Sequence, residues 1–250
     1  MKGVTETIQR LEQAELSPQT ILVSATKGLD ADSLKTPAQL LHQAFPANPI
    51  VVLSGPNLSQ ELAAGLPAAT VVAGFDREAT RRVQQAFASD QLRVYTNDDP
   101  VGTELGGALK NVMAIALGVC DGLHLGANAR AALITRALPE LIRVGTQLGG
   151  QPETFMGLSG LGDLLATCTS PLSRNYQVGY GLAQGKSLAD ILAHLQGTAE
   201  GVNTAAVLVR LAEREGLTIP IGREVDRLLQ GEITPQEALT ALMARDLKSE

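Results

Sequence analysis

The sequence predicts an α/β unit on a parallel sheet followed by an all-helical unit, and three observations carry that expectation. Short, continuously apolar runs alternate with helical patterns between residues 20 and 97. From Asp98 onward the strand pattern disappears and helical periodicity takes over. The polar turn Asn97-Asp98-Asp99-Pro100 stands between the two regimes, dividing the chain into units of 1–98 and 99–250. Runs that are short and apolar throughout suit strands covered on both faces, as in α/β sheets.

In chain order, a helical stretch over about 2–15 precedes the first run, Ile21-Leu22-Val23-Ser24-Ala25-Thr26, which stops at Lys27-Gly28. A helix over about 35–45 leads to the second run, Pro49-Ile50-Val51-Val52-Leu53, which stops at Ser54-Gly55-Pro56. A short helix near 57–64 leads to the third, Ala69-Thr70-Val71-Val72-Ala73, stopped by Gly74. Asp76 opens a helix to about 89, with acid in its first turn, before the fourth run, Arg93-Val94-Tyr95-Thr96. The helical half starts with a long apolar helix over 100–120 and a second over 128–148, with Asn128 as the expected N-cap and Pro139 expected to kink or divide it. Shorter helices are expected near 159–168, 173–184, 187–195, 201–215, 221–230 and 235–246, the last with Thr234 as N-cap and Pro235 at the first helical position.

Composition narrows the function. The 250 residues are 44% hydrophobic and 18% charged, so a packed core is available and disorder is excluded. Aromatics are 3% with no Trp, so burial must come from aliphatic side chains. A formal charge of −6 argues against a general nucleic-acid binder. Two distant cysteines, Cys120 and Cys168, make no disulfide framework. His42, His124 and His194 lack metal-ligand spacing, so no metal site is expected. No apolar targeting segment follows Met1, and no stretch approaches the roughly 18 uncharged apolar residues of a bilayer span. A cytoplasmic protein without membrane insertion is the expectation.

Three clusters could carry chemistry. Between Leu105 and Cys120 only Lys110 and Asn111 are strongly polar, so an ammonium is expected inside a buried helix. Gly106 and Gly107 share its face, and two glycines in a helix cost about 1 kcal/mol each relative to Ala. That cost makes sense if something must approach the backbone beside Lys110. Lys110 is then either a snorkelling side chain at a helix contact or a lysine of tuned pKa facing a substrate. In the second cluster, a helix entered at Gly160-Leu161-Gly162-Asp163 puts Asp163 and Thr167 one above the other at i and i+4. Asp163 could equally be an ordinary first-turn acid. In the third, Ser173-Arg174-Asn175 offers hydroxyl, guanidinium and amide donors suited to phosphate oxygens, or a solvated turn. Thr26-Lys27-Gly28 and Ser54-Gly55-Pro56-Asn57 stand at the C-terminal ends of expected strands, where open α/β sheets bind ligands. Cys168 reads as a small buried residue.

The segments Ser24-Ala25-Thr26-Lys27-Gly28-Leu29, Leu53-Ser54-Gly55-Pro56-Asn57, Glu104-Leu105-Gly106-Gly107-Ala108-Leu109-Lys110-Asn111, Gly126 to Arg136, and Gly160-Leu161-Gly162-Asp163-Leu164 together resemble the NAD(P)-dependent sn-glycerol-3-phosphate dehydrogenases of bacterial type. The resemblance runs essentially the whole length of the chain. It implies a Rossmann-type unit followed by a helical unit like that of 6-phosphogluconate dehydrogenase. It also implies reduction of dihydroxyacetone phosphate to sn-glycerol 3-phosphate for phospholipid synthesis, with NAD or NADP as cofactor, NADPH favoured. By that resemblance Lys110 is the general acid/base, Lys27 contacts substrate and cofactor, and Asp163, Thr167 and Asn111 hold Lys110. Gly55 and Asn57 line the substrate pocket, Ser173, Arg174 and Asn175 bind the phosphate end, and Ser59, Arg174 and Glu200 face the cofactor. The resemblance allows a homodimer and calls for no nucleic acid.

The family opens with a strand and a G-x-G-x-x-G loop whose amides bind pyrophosphate, and nothing between Met1 and Ile21 supplies it. Met1 is therefore expected after the first βαβ unit, leaving the Rossmann-type sheet incomplete. Two readings stand at this level: a dehydrogenase without its Gly-rich N-terminal part, or an inactive fragment serving only as a helical binding or dimerising module. A β-hydroxyacid dehydrogenase sharing the helical unit is a further alternative. Lys27 would lower the pKa of Lys110 and Asp163 would raise it, a balance that sequence leaves open.

Overall fold

The computed structural model describes residues 2–245, so the last residues of the expected 235–246 helix and of the 99–250 unit lie outside the described residues. The four expected strands form one sheet in sequence order: β1 (Leu22–Ser24), β2 (Ile50–Ser54), β3 (Ala68–Ala73) and β4 (Leu92–Asn97). Helix α1 (Lys2–Glu12) precedes β1, and α2 (Pro37–Ala44), α3 (Ser59–Ala63) and α4 (Arg77–Phe87) fall between successive strands. As expected, Asp76 caps α4, accepting the Ala79 N–H at 2.9 Å.

The sheet departs from the expected parallel order at one pair. β1–β2 and β3–β4 are parallel, whereas β2–β3 is antiparallel, with Ser54 opposite Val71 and Val52 opposite Ala73. Between them the only helix is the five-residue α3, and the chain re-enters the sheet from the end at which it left. This folds Thr70 back onto the end of β2, where its hydroxyl donates to the Ser54 carbonyl at 3.0 Å.

From Pro100 every described element is helical. Helix α5 (Pro100–Gly122) runs through the middle, surrounded by α6 (Gly126–Gln147), α7 (Pro152–Phe155), a π-helical turn (Leu158–Gly162), α8 (Asp163–Thr169) and α9 (Arg174–Ala183). Helices α10 (Leu188–His194), α11 (Glu200–Glu215), α12 (Pro220–Leu229) and α13 (Pro235–Met243) complete the bundle. Thr234 and Glu237 form the reciprocal cap expected at α13. At α6 one expectation fails outright and another in part. Asn128 is not its N-cap, because left-handed turns at His124 (φ 56°) and Gly126 (φ 84°) start the helix two residues earlier. Pro139 does not divide it, and α6 runs through that position.

On length and composition alone α5 could cross a membrane, contrary to the expectation that no segment could, but 94% of its apolar window is buried inside the protein. Its glycines permit that depth. A side chain at Gly118 would strike the Tyr176 carbonyl, and one at Gly179 the Ile115 carbonyl, so α5 and α9 pack backbone against backbone. The core around α5 is aliphatic, with Leu105, Leu109, Met113, Leu117, Leu208 and Leu211 among its members. A second cluster (Val51, Val72, Ala79, Val83, Val94) lies under the sheet.

Glu104 joins the two halves. It is buried near the start of α5, and its Oε1 accepts the Ala38 N–H at 2.9 Å in the first turn of α2. Burial pushes its pKa up from 4.5 to about 7, against hydrogen bonds to Thr36 and Ala38 that lower it. The folded pKa lies above the unfolded one, so this contribution to stability is full below about pH 4.5 and lost as pH rises through about 7. Glu104→Gln keeps an acceptor for Ala38 and removes the titration. Its stability relative to the parent should therefore rise by about 1–3 kcal/mol between acidic and mildly alkaline pH. Urea denaturation at the two pH values measures this, and a pH-independent difference would show that Glu104 does not titrate in that window.

Candidate active site

A cleft of about 820 Å³ opens where the C-terminal ends of β1 and β2 meet α5, α8, α9 and the α10–α11 loop. This is the end of an α/β sheet at which ligands bind. Lys110 reaches its floor from the middle of α5 and is 5% exposed. Its Nζ donates to Asp163 Oδ1 at 3.0 Å and to the Thr167 hydroxyl. Asp163 and Thr167 do lie one above the other on α8, linked at 3.3 Å. Lys27, on the loop after β1, donates to the second oxygen, Asp163 Oδ2, at 2.6 Å and to the Gly55 carbonyl at 3.0 Å. One buried carboxylate thus holds two ammonium groups. Each ammonium has three N–H donors, so each keeps one for the cleft.

Glycines bring these pieces into reach. What approaches the backbone beside Lys110 is the protein itself. A Cβ at Gly106 would stand 2.7 Å from the Ser159 carbonyl of the π-helical turn, and one at Gly107 would strike the Ser54 hydroxyl. The first contact sets α8, and hence Asp163, against α5. The second sets the end of β2 against it. Lys110 is therefore no snorkelling side chain; its charged end is buried.

Burial is the largest influence on Lys110 and lowers its pKa from 10.5 to about 8. Asp163 pulls it back up, and Lys27 pushes it further down. Of the two influences weighed from the sequence, Asp163 outweighs Lys27, and the net lowering comes from burial. Cys168, fully buried close by, has its thiol pushed up to about 12 by burial and is no nucleophile.

The remaining expected residues fall around the same cleft. Asn111 accepts from Asn175 Nδ2 at 2.9 Å, and Asn175 Oδ1 in turn accepts the Gly201 N–H at 2.9 Å, at the start of α11. A backbone N–H can only donate, so this bond fixes which way the Asn175 amide faces. Ser173 caps α9 and Arg174 opens it, both on the cleft wall. Arg174 is exposed and makes no ion pair with the described residues. Asn57 lines the cleft and donates to the Thr70 hydroxyl at 2.9 Å, while its Oδ1 is buried with no partner among the described residues. Ser59 and Glu200 stand on the wall as well. Gly55 is the exception: it lies behind the wall and acts through its carbonyl on Lys27. Sequence reasoning missed Gln60, Gln177, His194, Gln196 and Thr198, which also line the cleft. Polar residues on exposed loops and helix ends carry no pattern that separates them from ordinary surface.

Residues 1–80 match the family model described as NAD-dependent glycerol-3-phosphate dehydrogenase N-terminus, and residues 99–240 match that of the C-terminus. The chain belongs to the NAD-dependent glycerol-3-phosphate dehydrogenase family. It is 68% identical over 250 residues to a glycerol-3-phosphate dehydrogenase [NAD(P)+] of Acaryochloris marina, covering all of this chain and 81% of that one. A relative of the same name from Synechocystis is 62% identical, covering all of this chain and 79% of its own. Among solved structures, glycerol-3-phosphate dehydrogenase from Coxiella burnetii superposes with a TM-score of 0.93 at 36% identity, over 97% of this chain and 74% of that one. The Saccharomyces cerevisiae enzyme, at 23% identity, shares the fold with a TM-score of 0.84, over 96% of this chain and 72% of its own.

The dehydrogenase cleft makes one prediction independent of turnover. A lysine side-chain NMR titration should show a group near pH 8 that vanishes in Lys110→Met. In Asp163→Asn the same group should titrate at lower pH, because the main influence opposing burial is gone. An unmoved titration in Asp163→Asn would mean that the carboxylate does not control Lys110.

Proposed function

We propose that the chain carries out the reaction of its family, a reversible hydride transfer between a nicotinamide dinucleotide and dihydroxyacetone phosphate or sn-glycerol 3-phosphate, with Lys110 as the general acid/base. The observation that carries this reading is the Lys110–Asp163–Lys27 arrangement on the cleft floor. Its net charge is +1, and two N–H donors remain aimed at the space where a carbonyl oxygen would sit. Charge that develops on that oxygen meets fixed donors, and Lys110 can hand it a proton. In the oxidative direction the neutral amine of Lys110 takes the proton back.

The residues fit a nicotinamide cofactor at one end. Lys27, Ser59, Arg174 and Glu200 share the cleft with Lys110 and would hold it there. When bound, it supplies or accepts the hydride. Ser173, Arg174 and Asn175 would take the phosphate of the substrate, since Arg174 makes no ion pair with the described residues and Asn175 is held in one orientation. Asn57 stands on the cleft wall, held by Thr70, and would contact the substrate there. Asp163 and Thr167 fix the Lys110 ammonium, and Asn111 ties α5 to α9 beside it.

The reading also divides the chain into a sheet-bearing unit over 1–98 and a helical unit over 99–250. Its support is the separate core under the sheet and the run of helices that starts at Pro100. The internal position of α5 supports a core helix rather than a membrane span, and the reading places the enzyme in the cytoplasm. Nothing in the comparisons favours the alternative of a non-catalytic helical module.

The decisive assay is NADPH oxidation that depends on dihydroxyacetone phosphate. Lys110→Ala should cut kcat by about a hundred- to ten-thousand-fold while leaving the circular dichroism spectrum intact. The ammonium form serves reduction and the amine form oxidation. For reduction, kcat/KM should therefore fall as pH rises through about 8, and for oxidation it should rise across the same interval. Flat profiles in both directions, or near-normal turnover in Lys110→Ala, would remove Lys110 from the role.

A further inference from the structure

The guanidinium of Arg174 lies on a loop with no side chain beneath it. Arg174 is the first residue of α9, exposed on the cleft wall, and no carboxylate among the described residues pairs with it to set its direction. The backbone of Gly197, in the loop between α10 and α11, packs under it instead. A Cβ built at Gly197 would stand 2.5 Å from Arg174 Nη1 and 3.6 Å from both Cδ and Cζ. Gly197 has φ 92°, and Gln196 and Thr198 on either side of it line the same cleft. An arginine side chain loses considerable rotamer freedom when it docks a ligand, and a surface that holds its planar fork in advance reduces that loss.

We propose that Gly197 is a positioning residue for the anion-binding arginine: its bare backbone is the shelf on which Arg174 is held towards the cleft. The three atoms nearest a Cβ at 197 all belong to Arg174, so Gly197→Ala crowds the guanidinium before anything else. The inference deepens the reading of Arg174 as an anion contact and rests on it.

The test compares Gly197→Ala, Arg174→Ala, the double variant and a control, Gly185→Ala. Gly185 has a similar backbone (φ 79°) and open space where its Cβ would go, so it reports strain alone. KM for dihydroxyacetone phosphate and for NADPH is measured for each, with kcat and thermal stability. Whichever KM Arg174→Ala raises, Gly197→Ala should raise about tenfold, as expected for displacing one charge-assisted contact, with kcat within about twofold. The double variant should be no worse than Arg174→Ala alone, and Gly185→Ala should match the parent in both KM values. An additive effect in the double variant, or unchanged KM in Gly197→Ala, overturns the shelf. If Gly197→Ala loses more thermal stability than Gly185→Ala and its kcat falls along with KM, its role is structural and the proposal fails. Should Arg174→Ala itself leave both KM values unchanged, the underlying assignment of Arg174 fails, and that result is distinguishable from the others.

Discussion

The site depends on a single carboxylate placed between two ammonium groups. Asp163 is almost fully buried, and so is Lys110, so neither charge would be tolerable alone. Asp163 gives one oxygen to Lys110 and the other to Lys27. That arrangement keeps both cations in place and leaves one positive charge in excess, suited to an anionic, oxygen-rich substrate. It also sets the chemistry. Burial alone would push Lys110 towards a neutral amine, a second cation pushes the same way, and the carboxylate restrains both. The result is a lysine that exchanges its proton close to neutral pH.

The three groups come from three parts of the chain: the end of β1, the middle of α5 and the first turn of α8. The fold holds them together by removing side chains where backbones must touch. Gly106 admits the carbonyl of the π-helical turn that leads into α8, and Gly107 admits the end of β2. Further along α5, Gly118 lets α9 approach closely enough for Asn175 to reach Asn111. The antiparallel β2–β3 pair adds the fourth wall, because it places Thr70 where it can anchor Asn57. Helix–helix contacts of this closeness also explain how a chain with so few aromatics packs a central helix with almost no exposure.

Much of this was legible beforehand, for specific reasons. An ammonium in an otherwise apolar helix had to be paired, and paired glycines beside it had to face something close. Helix periodicity by itself set Asp163 over Thr167. Other features were not legible. The direction of β3 depends on which end of the sheet the chain re-enters, which composition does not reveal. The start of α6 follows from left-handed turns at His124 and Gly126 rather than from the capping residue Asn128. Gln60, Gln177, His194, Gln196 and Thr198 reach the cleft only because α3, α9, the end of α10 and the loop after it pack around it.

The sequence by itself determined the order of strands and helices, the buried lysine and the family, since periodicity, burial and motif spacing are local properties that survive without a structure. Tertiary structure alone decided that Lys27 and Lys110 share one carboxylate, that Arg174 lies against Gly197, and that β3 runs antiparallel to β2. Those facts rest on contacts between residues far apart in the chain, such as Lys27 and Asp163, which no local pattern in the sequence brings together.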